Sequence, residues 1–301
     1  MDTIIKQLVS LFIISGIGYY CGKKTIIDEK LSNGLAKLLL YVTTPLLVID
    51  SFCFTFSADV TANLSKAFMY GLIIFCVTPV FAKLLLVKVE ASKRNILEFA
   101  LVFSNSGFIG FPVAQSVFGA EGVVYTAIFG IFFNFFIWTY GIMLFSNMGS
   151  KKDILKTFMN PGIISAVIGL FIMMFSIQVP EVVLTPIKLV GSMTTPLSMI
   201  IIGSLLSRAD FKKLTTDMSL YYGTFLKLLV IPLALYVVAV LFKLHSTVIN
   251  TFILLQALPA SAMTTMFAES FNKNKDYAVL MVSLSTIISA LTLPFIIKIC
   301  M

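Results

Sequence analysis

Apolar positions along this chain do not alternate with polar ones. They gather in runs of about 20 residues separated by short polar links. Ten runs are readable, roughly 3–22, 35–56, 65–87, 96–118, 123–146, 161–177, 185–206, 218–242, 248–268 and 276–299. A helix rising about 1.5 Å per residue needs about 20 apolar residues to cross a hydrocarbon layer about 30 Å thick. The pattern therefore predicts an all-α integral membrane protein with ten transmembrane helices. The first run, Ile4 to Cys21, reads as a mature helix and not as a secretory signal. The links leave no room for an extramembrane domain; the longest runs from Asn147 to Asn160 and is basic.

The pattern breaks most sharply in the fourth run. Ser104-Asn105-Ser106-Gly107-Phe108-Ile109-Gly110-Phe111-Pro112 places two glycines, two serines, an asparagine and a proline inside a membrane-length segment. Glycine weakens helix and proline removes a donor, so backbone groups are freed where no water satisfies them. Such a break serves packing or builds a binding site at membrane depth.

Landmarks also recur at nearly one spacing. Thr43-Thr44-Pro45-Leu46 is followed 151 positions later by Thr194-Thr195-Pro196-Leu197, and Pro79 is followed by Pro232 and Phe118 by Phe271, each 153 positions on. The offset carries Ser104–Pro112 onto Ala257–Thr265, a second interrupted run. The halves 1–146 and 161–301 read as repeats joined by the link 147–160. Five spans is an odd number, so the second repeat is inverted. The expectation is a five-plus-five inverted repeat with two crossed broken helices, spans 4 and 9. Their half-helix N-termini would present free N–H groups and positive dipole ends, a field suited to an anion.

Composition agrees with the pattern: 58% of residues are hydrophobic, 12% charged, and the mean hydropathy is +1.00. The net charge of +8 is a topology signal and not a nucleic-acid one, because the basic residues lie in alternate links. Lys23, Lys24, Lys30, Lys88, Lys93, Arg94, Lys151, Lys152, Lys156, Arg208, Lys212, Lys213, Lys273 and Lys275 share one side, which predicts both termini outside. Four scattered cysteines and a lone His245 show no metal or disulfide spacing, and no cofactor is expected.

The candidate substrate contacts are Asn105, Ser106, Gly107, Pro112, Pro259, Ala260, Ser261 and Thr264, with Thr44 and Thr195 as lining residues and Thr265 as a weaker neighbour. Each hydroxyl has a competing role, bonding back to its own helix. Asn105 competes with plain interhelical bonding. Pro112 and Pro259 suit the first turn of an outgoing half-helix. Asp50 and Lys227 read as the charges inside apolar runs, and Lys227 either serves the site as a charge partner or snorkels to the membrane surface. No carboxylate pair stands in spans 4, 5 or 9, so proton or sodium coupling is not visible.

These residues resemble a known family. Thr43–Phe52, Ser104–Pro112, Asn160-Pro161-Gly162, Thr195–Gly203, Leu258–Ala260 and Ser289–Pro294 look like the auxin efflux carriers and PIN-like transporters, whose bacterial members are linked to malate and malonate. The resemblance covers nearly the whole chain. It implies a scaffold bundle, a moving transport bundle (elevator-type alternating access), crossover residues at Asn105, Pro112 and Pro259, and a homodimer in a cell membrane. The short basic link departs from the plant carriers' long hydrophilic loop and puts auxin itself in question. The function expected is secondary transport of a small organic anion, a mono- or dicarboxylate or an auxin-like aromatic carboxylate. A membrane-embedded ligand sensor without transport is the alternative. An intramembrane enzyme lacks a nucleophile–base pair or metal cluster in the sequence.

Overall fold

In the computed structural model the described residues are 2–53, 58–145, 161–175, 177–208 and 217–300. The link expected at 147–160, with Lys151, Lys152 and Lys156, lies outside them, as do Lys212 and Lys213. Among the described residues the elements are helices. They are α1 (Asp2–Lys23), α2 (Glu29–Leu38), α3 (Thr44–Phe52), α4 (Ala58–Leu85), α5 (Ala91–Val102), α6 (Phe111–Phe136), α7 (Ile142–Phe145), α8 (Pro161–Met174), α9 (Glu181–Ser192), α10 (Thr194–Leu206), α11 (Met218–Phe225), α12 (Ile231–Leu241), α13 (Thr247–Gln256), α14 (Met263–Ser270) and α15 (Lys275–Cys300).

Six helical runs among these residues are long and apolar enough to cross a membrane: Glu29–Phe52, Asn63–Leu85, Ser106–Phe145, Glu181–Leu206, Met218–Leu241 and Lys275–Ile299. Pro161–Met174 and Thr247–Gln256 are shorter apolar helices. The run Ser106–Phe145 has 40 residues, about twice what one crossing requires. Gly119 divides it with a left-handed φ of 64°, at the boundary where the sequence separates spans 4 and 5.

Three prolines follow widened turns, although Pro79, Pro186 and Pro294 lie inside helices without one and the widened turn at Ile137–Gly141 has no proline after it. Widened π-turns at Leu39–Thr43, Ser106–Gly110 and Leu226–Val230 come just before Pro45, Pro112 and Pro232. A proline ring collides with the carbonyl four residues earlier. Those carbonyls belong to Tyr41, Phe108 and Leu228, all inside the widened turns, which take up the collision without ending the run.

The chain forms two compact units, each drawing on both halves of the sequence. The first comprises 1–67, 107–131 and 158–208; the second comprises 68–106, 132–157 and 209–301. In the first unit α1 lies along α10 at backbone contact. A side chain at Gly203 would overlap the Ser15 carbonyl, and one at Gly18 would overlap the Ile200 backbone. Small residues allow this approach, the usual device for packing helices in lipid. In the second unit phenylalanines form the core: Phe99 lies 4.6 Å from Phe103 and 4.9 Å from Phe267, and Phe75 stacks on Phe136 at 5.4 Å. Large apolar side chains such as Val80, Leu84 and Leu291 face outward.

Candidate functional site

The second unit contains the points, near Phe103 and Ala257, at which two half-helices end. Helix α5 stops at Phe103, whose φ of −102° and ψ of 105° are extended. Helix α13 starts under the Ser246 hydroxyl, which accepts from the Ile249 amide at 3.4 Å, and stops at Ala257 ahead of Pro259. The two breaks run antiparallel and complete each other. The Asn105 amide donates to the Pro259 carbonyl at 2.8 Å, and the Ser261 amide donates to the Phe103 carbonyl at 3.0 Å. Ser104 and Ala260 thus form an isolated antiparallel bridge. The Ala260 amide donates to Ser285 Oγ of α15 at 3.1 Å. Backbone groups that cannot be left bare in hydrocarbon are satisfied by the opposite break.

Lys227 stands against this bridge. It lies in the widened turn between α11 and α12 and is fully buried. Its ammonium donates to the Leu101 carbonyl at 3.0 Å, to Ser104 Oγ at 2.6 Å and to Gln256 Oε1 at 3.4 Å. Ser104 Oγ in turn donates to Gln256 Oε1 at 3.2 Å. Leu101 and Gln256 lie at the C-terminal ends of α5 and α13, where the helix dipole is negative and favours a cation. Among the described residues no carboxylate pairs with Lys227. Gln256 Nε2 is buried without an acceptor among them. The alternative in which Lys227 snorkels to the membrane surface is corrected: three oxygens hold it inside.

Several candidates read from the sequence take a different role once their partners are known. Asn105 and Ser106 are buried at the bridge, with the Ser106 amide donating to the Ser104 carbonyl at 2.8 Å. Pro259 is not in the first turn of an outgoing helix. It lies in the extended break before α14, where its carbonyl serves Asn105. Ser261 Oγ accepts from the Met263 amide at 3.2 Å and so caps α14. Thr264 is buried with its hydroxyl unpartnered among the described residues. Gly107, Pro112, Thr44, Asp50 and Thr195 belong to the first unit. There Pro112 is the second residue of α6, Thr195 Oγ1 donates to Gln115 Oε1 at 3.2 Å, the Thr44 hydroxyl is buried without a partner among the described residues, and Asp50 is half-buried on α3.

The sequence reading missed three residues. Ser104 and Gln256 complete the Lys227 cluster, and Glu98 is a further charge inside an apolar run. Glu98 is buried on α5 and accepts a hydrogen bond from the Tyr140 hydroxyl. Lys83 lies 5.8 Å from the centre of the Tyr140 ring. At the start of α5, Lys93 pairs with Asp217 at 2.6 Å. Partial burial pushes the Asp217 carboxyl up, but bonds from Lys93 and Ser219 outweigh it and hold the group below its ordinary range. The same bond holds the Lys93 ammonium above its own.

The model of a membrane transport protein family matches residues 3–297. The chain belongs to that family. The resemblance to auxin efflux carriers read from the sequence falls within it. An uncharacterized transporter of Methanocaldococcus jannaschii is 22% identical over 281 residues, covering 88% of this chain and 87% of that one. An uncharacterized transporter of Methanothermobacter thermautotrophicus is 20% identical over 298 residues, covering 96% of each. The family and these relatives are transporters and not enzymes. With its long apolar helices, this chain is a multi-pass membrane protein of that family.

Proposed function

We propose that this protein is a secondary transporter that moves a small organic anion, a mono- or dicarboxylate, through the bridge region by alternating access. The observation that carries the reading is the Lys227 ammonium, held without a carboxylate among the described residues against the paired breaks at 103–105 and 258–261. A buried positive charge lacking a negative partner favours an anionic guest. The unpartnered Gln256 Nε2 offers donors that a carboxylate accepts. Ten helices in a five-plus-five inverted repeat accommodate the repeat offsets of 151 and 153 and the division into units, in which spans 1, 2, 6 and 7 fall in one, spans 3, 8, 9 and 10 fall mainly in the other, and spans 4 and 5 are divided between the two. In this reading the second unit carries the site, the first is a dimerising scaffold, and the protein sits in the cell membrane.

Uptake of labelled carboxylates into proteoliposomes, with imposed pH, sodium and voltage gradients, tests the proposal. Saturable accumulation of a carboxylate supports it. Saturable binding without translocation points to the sensor, and exclusive transport of cations or neutral solutes refutes the anion.

A further inference from the structure

The ligand set around Lys227 is an unusual one for a lysine. Its acceptors are a backbone carbonyl (Leu101), a hydroxyl (Ser104) and a side-chain amide oxygen (Gln256), all neutral and all oxygen. Buried lysines usually find a carboxylate. Neutral oxygens at the C-terminal ends of broken half-helices, beside unwound backbone, are instead the groups that hold coupling cations in inverted-repeat carriers. Hard monovalent and divalent cations favour such carbonyl and hydroxyl ligands. An ammonium has three donors, and three oxygens receive them here.

We propose that Lys227 is a tethered cation: its ammonium fills a monovalent-cation site at the bridge, so the protein holds its anion without an inorganic cation. The inference rests on the anion-carrier reading for its purpose, because an anion entering hydrocarbon needs a positive counter-charge. A tethered ammonium supplies that charge from the chain itself, where a cation-coupled carrier recruits it from solution. Gln256 and Ser104 act as ligands of the cation. Their mutual bond keeps the amide oxygen turned toward it.

Truncation exposes the site. Purified Lys227→Ala is melted in choline, sodium, n-butylammonium and tetramethylammonium chloride at equal ionic strength, beside wild type and Lys227→Met. Wild type is expected to melt at one temperature in all four salts. Lys227→Ala should melt several degrees lower in choline and recover saturably in sodium or butylammonium, as a ligand that binds only the folded state requires. Tetramethylammonium, which has no N–H, should not restore it. Lys227→Met should melt low and stay low in every salt, because its apolar stem occupies the space. If Lys227→Ala is recovered only as aggregate, the folded yield with and without butylammonium during purification is the readout. Absence of any cation response in Lys227→Ala, a wild-type melting temperature for Lys227→Met, or a specific sodium response in wild type overturns the proposal. None of these measurements uses transport, so failure of carboxylate uptake refutes the carrier reading and leaves the cation site standing, and the reverse also holds.

Discussion

Asn105 contributes its backbone to the bridge and leaves its side chain for other work. Asn105→Ala keeps the amide that bonds Pro259, so the bridge should survive. If the side chain contacts substrate, affinity for a transported carboxylate falls by about 1–3 kcal/mol with an unchanged melting temperature, the range for losing a hydrogen bond to a charged group. Binding and melting measured on the same preparation check this; wild-type affinity with a lowered melting temperature assigns the residue to packing. Glu98 gives a second residue-level test. Tyr140→Phe removes the donor to a buried carboxyl and should destabilise the fold by about 1–3 kcal/mol. Tyr140→Phe combined with Glu98→Leu should lose less than the two single changes added together, because the polar pair then disappears as one. Both residues escaped the sequence reading. Glu98 is one charge in a window whose average is strongly apolar, and nothing local to it announces Tyr140, 42 positions away.

The helical elements were largely legible, because membrane helices announce themselves by length and composition. The interruptions were legible in part: the sequence placed them at Ser104–Pro112 and Ala257–Thr265, and helix is broken at 103–105 and 257–262, whereas Gly107, Gly110 and Pro112 lie in helical turns. What they connect to was not. Lys227 reaches Ser104 across 123 positions and Gln256 across 29, and no periodicity within one helix encodes those pairings. The widened turns were equally hidden, although Pro45, Pro112 and Pro232 were in plain view. They make a prediction of their own. Lys227 lies inside the widened turn that precedes Pro232. Pro232→Ala relieves the collision with the Leu228 carbonyl, so the turn can tighten and swing Lys227 off its three oxygens. Lys227 should resist a membrane-permeant amine reagent in wild type and react in Pro232→Ala, read by mass spectrometry. Equal protection in both proteins would show that the turn does not depend on the proline. In the first unit, Gly203→Leu should cost at least about 1–3 kcal/mol, since α1 must move off α10 to admit the side chain.

For the molecule as a whole, the lysine asymmetry predicts that Lys151–Lys156 faces the cytoplasm and both termini face outward. An impermeant thiol reagent on intact cells should label a cysteine at position 2 and spare one at position 152, and the opposite pattern refutes the orientation. The Lys93–Asp217 pair makes stability depend on pH at one end of the second unit. Asp217 has its folded pKa below the unfolded one, so its contribution is complete above the unfolded value of about 3.9 and disappears as pH falls through the folded value. Lys93 is raised, so its share is complete below the unfolded value of about 10.4 and disappears as pH rises past the folded value. The melting difference between wild type and Asp217→Asn should therefore be widest near neutrality and close toward both extremes; a difference independent of pH would mean that the pair is not what Asp217 contributes.

The order in which the two units use the chain also bears on biosynthesis. A ribosome that has made the first 146 residues has supplied only part of either unit, because the first needs 158–208 and the second needs 209–301. Proteins built from consecutive domains fold each one as it emerges. Here the early helices must wait in the membrane, and the glycine faces of α1 meet no α10 until residue 206 has been inserted. Until then the surfaces that later meet at backbone distance are open to lipid, to chaperones or to the wrong helix. Nascent chains long enough to have inserted residue 208 should be the shortest to gain protease resistance in the first unit, and those that have inserted only the first 146 residues should have none.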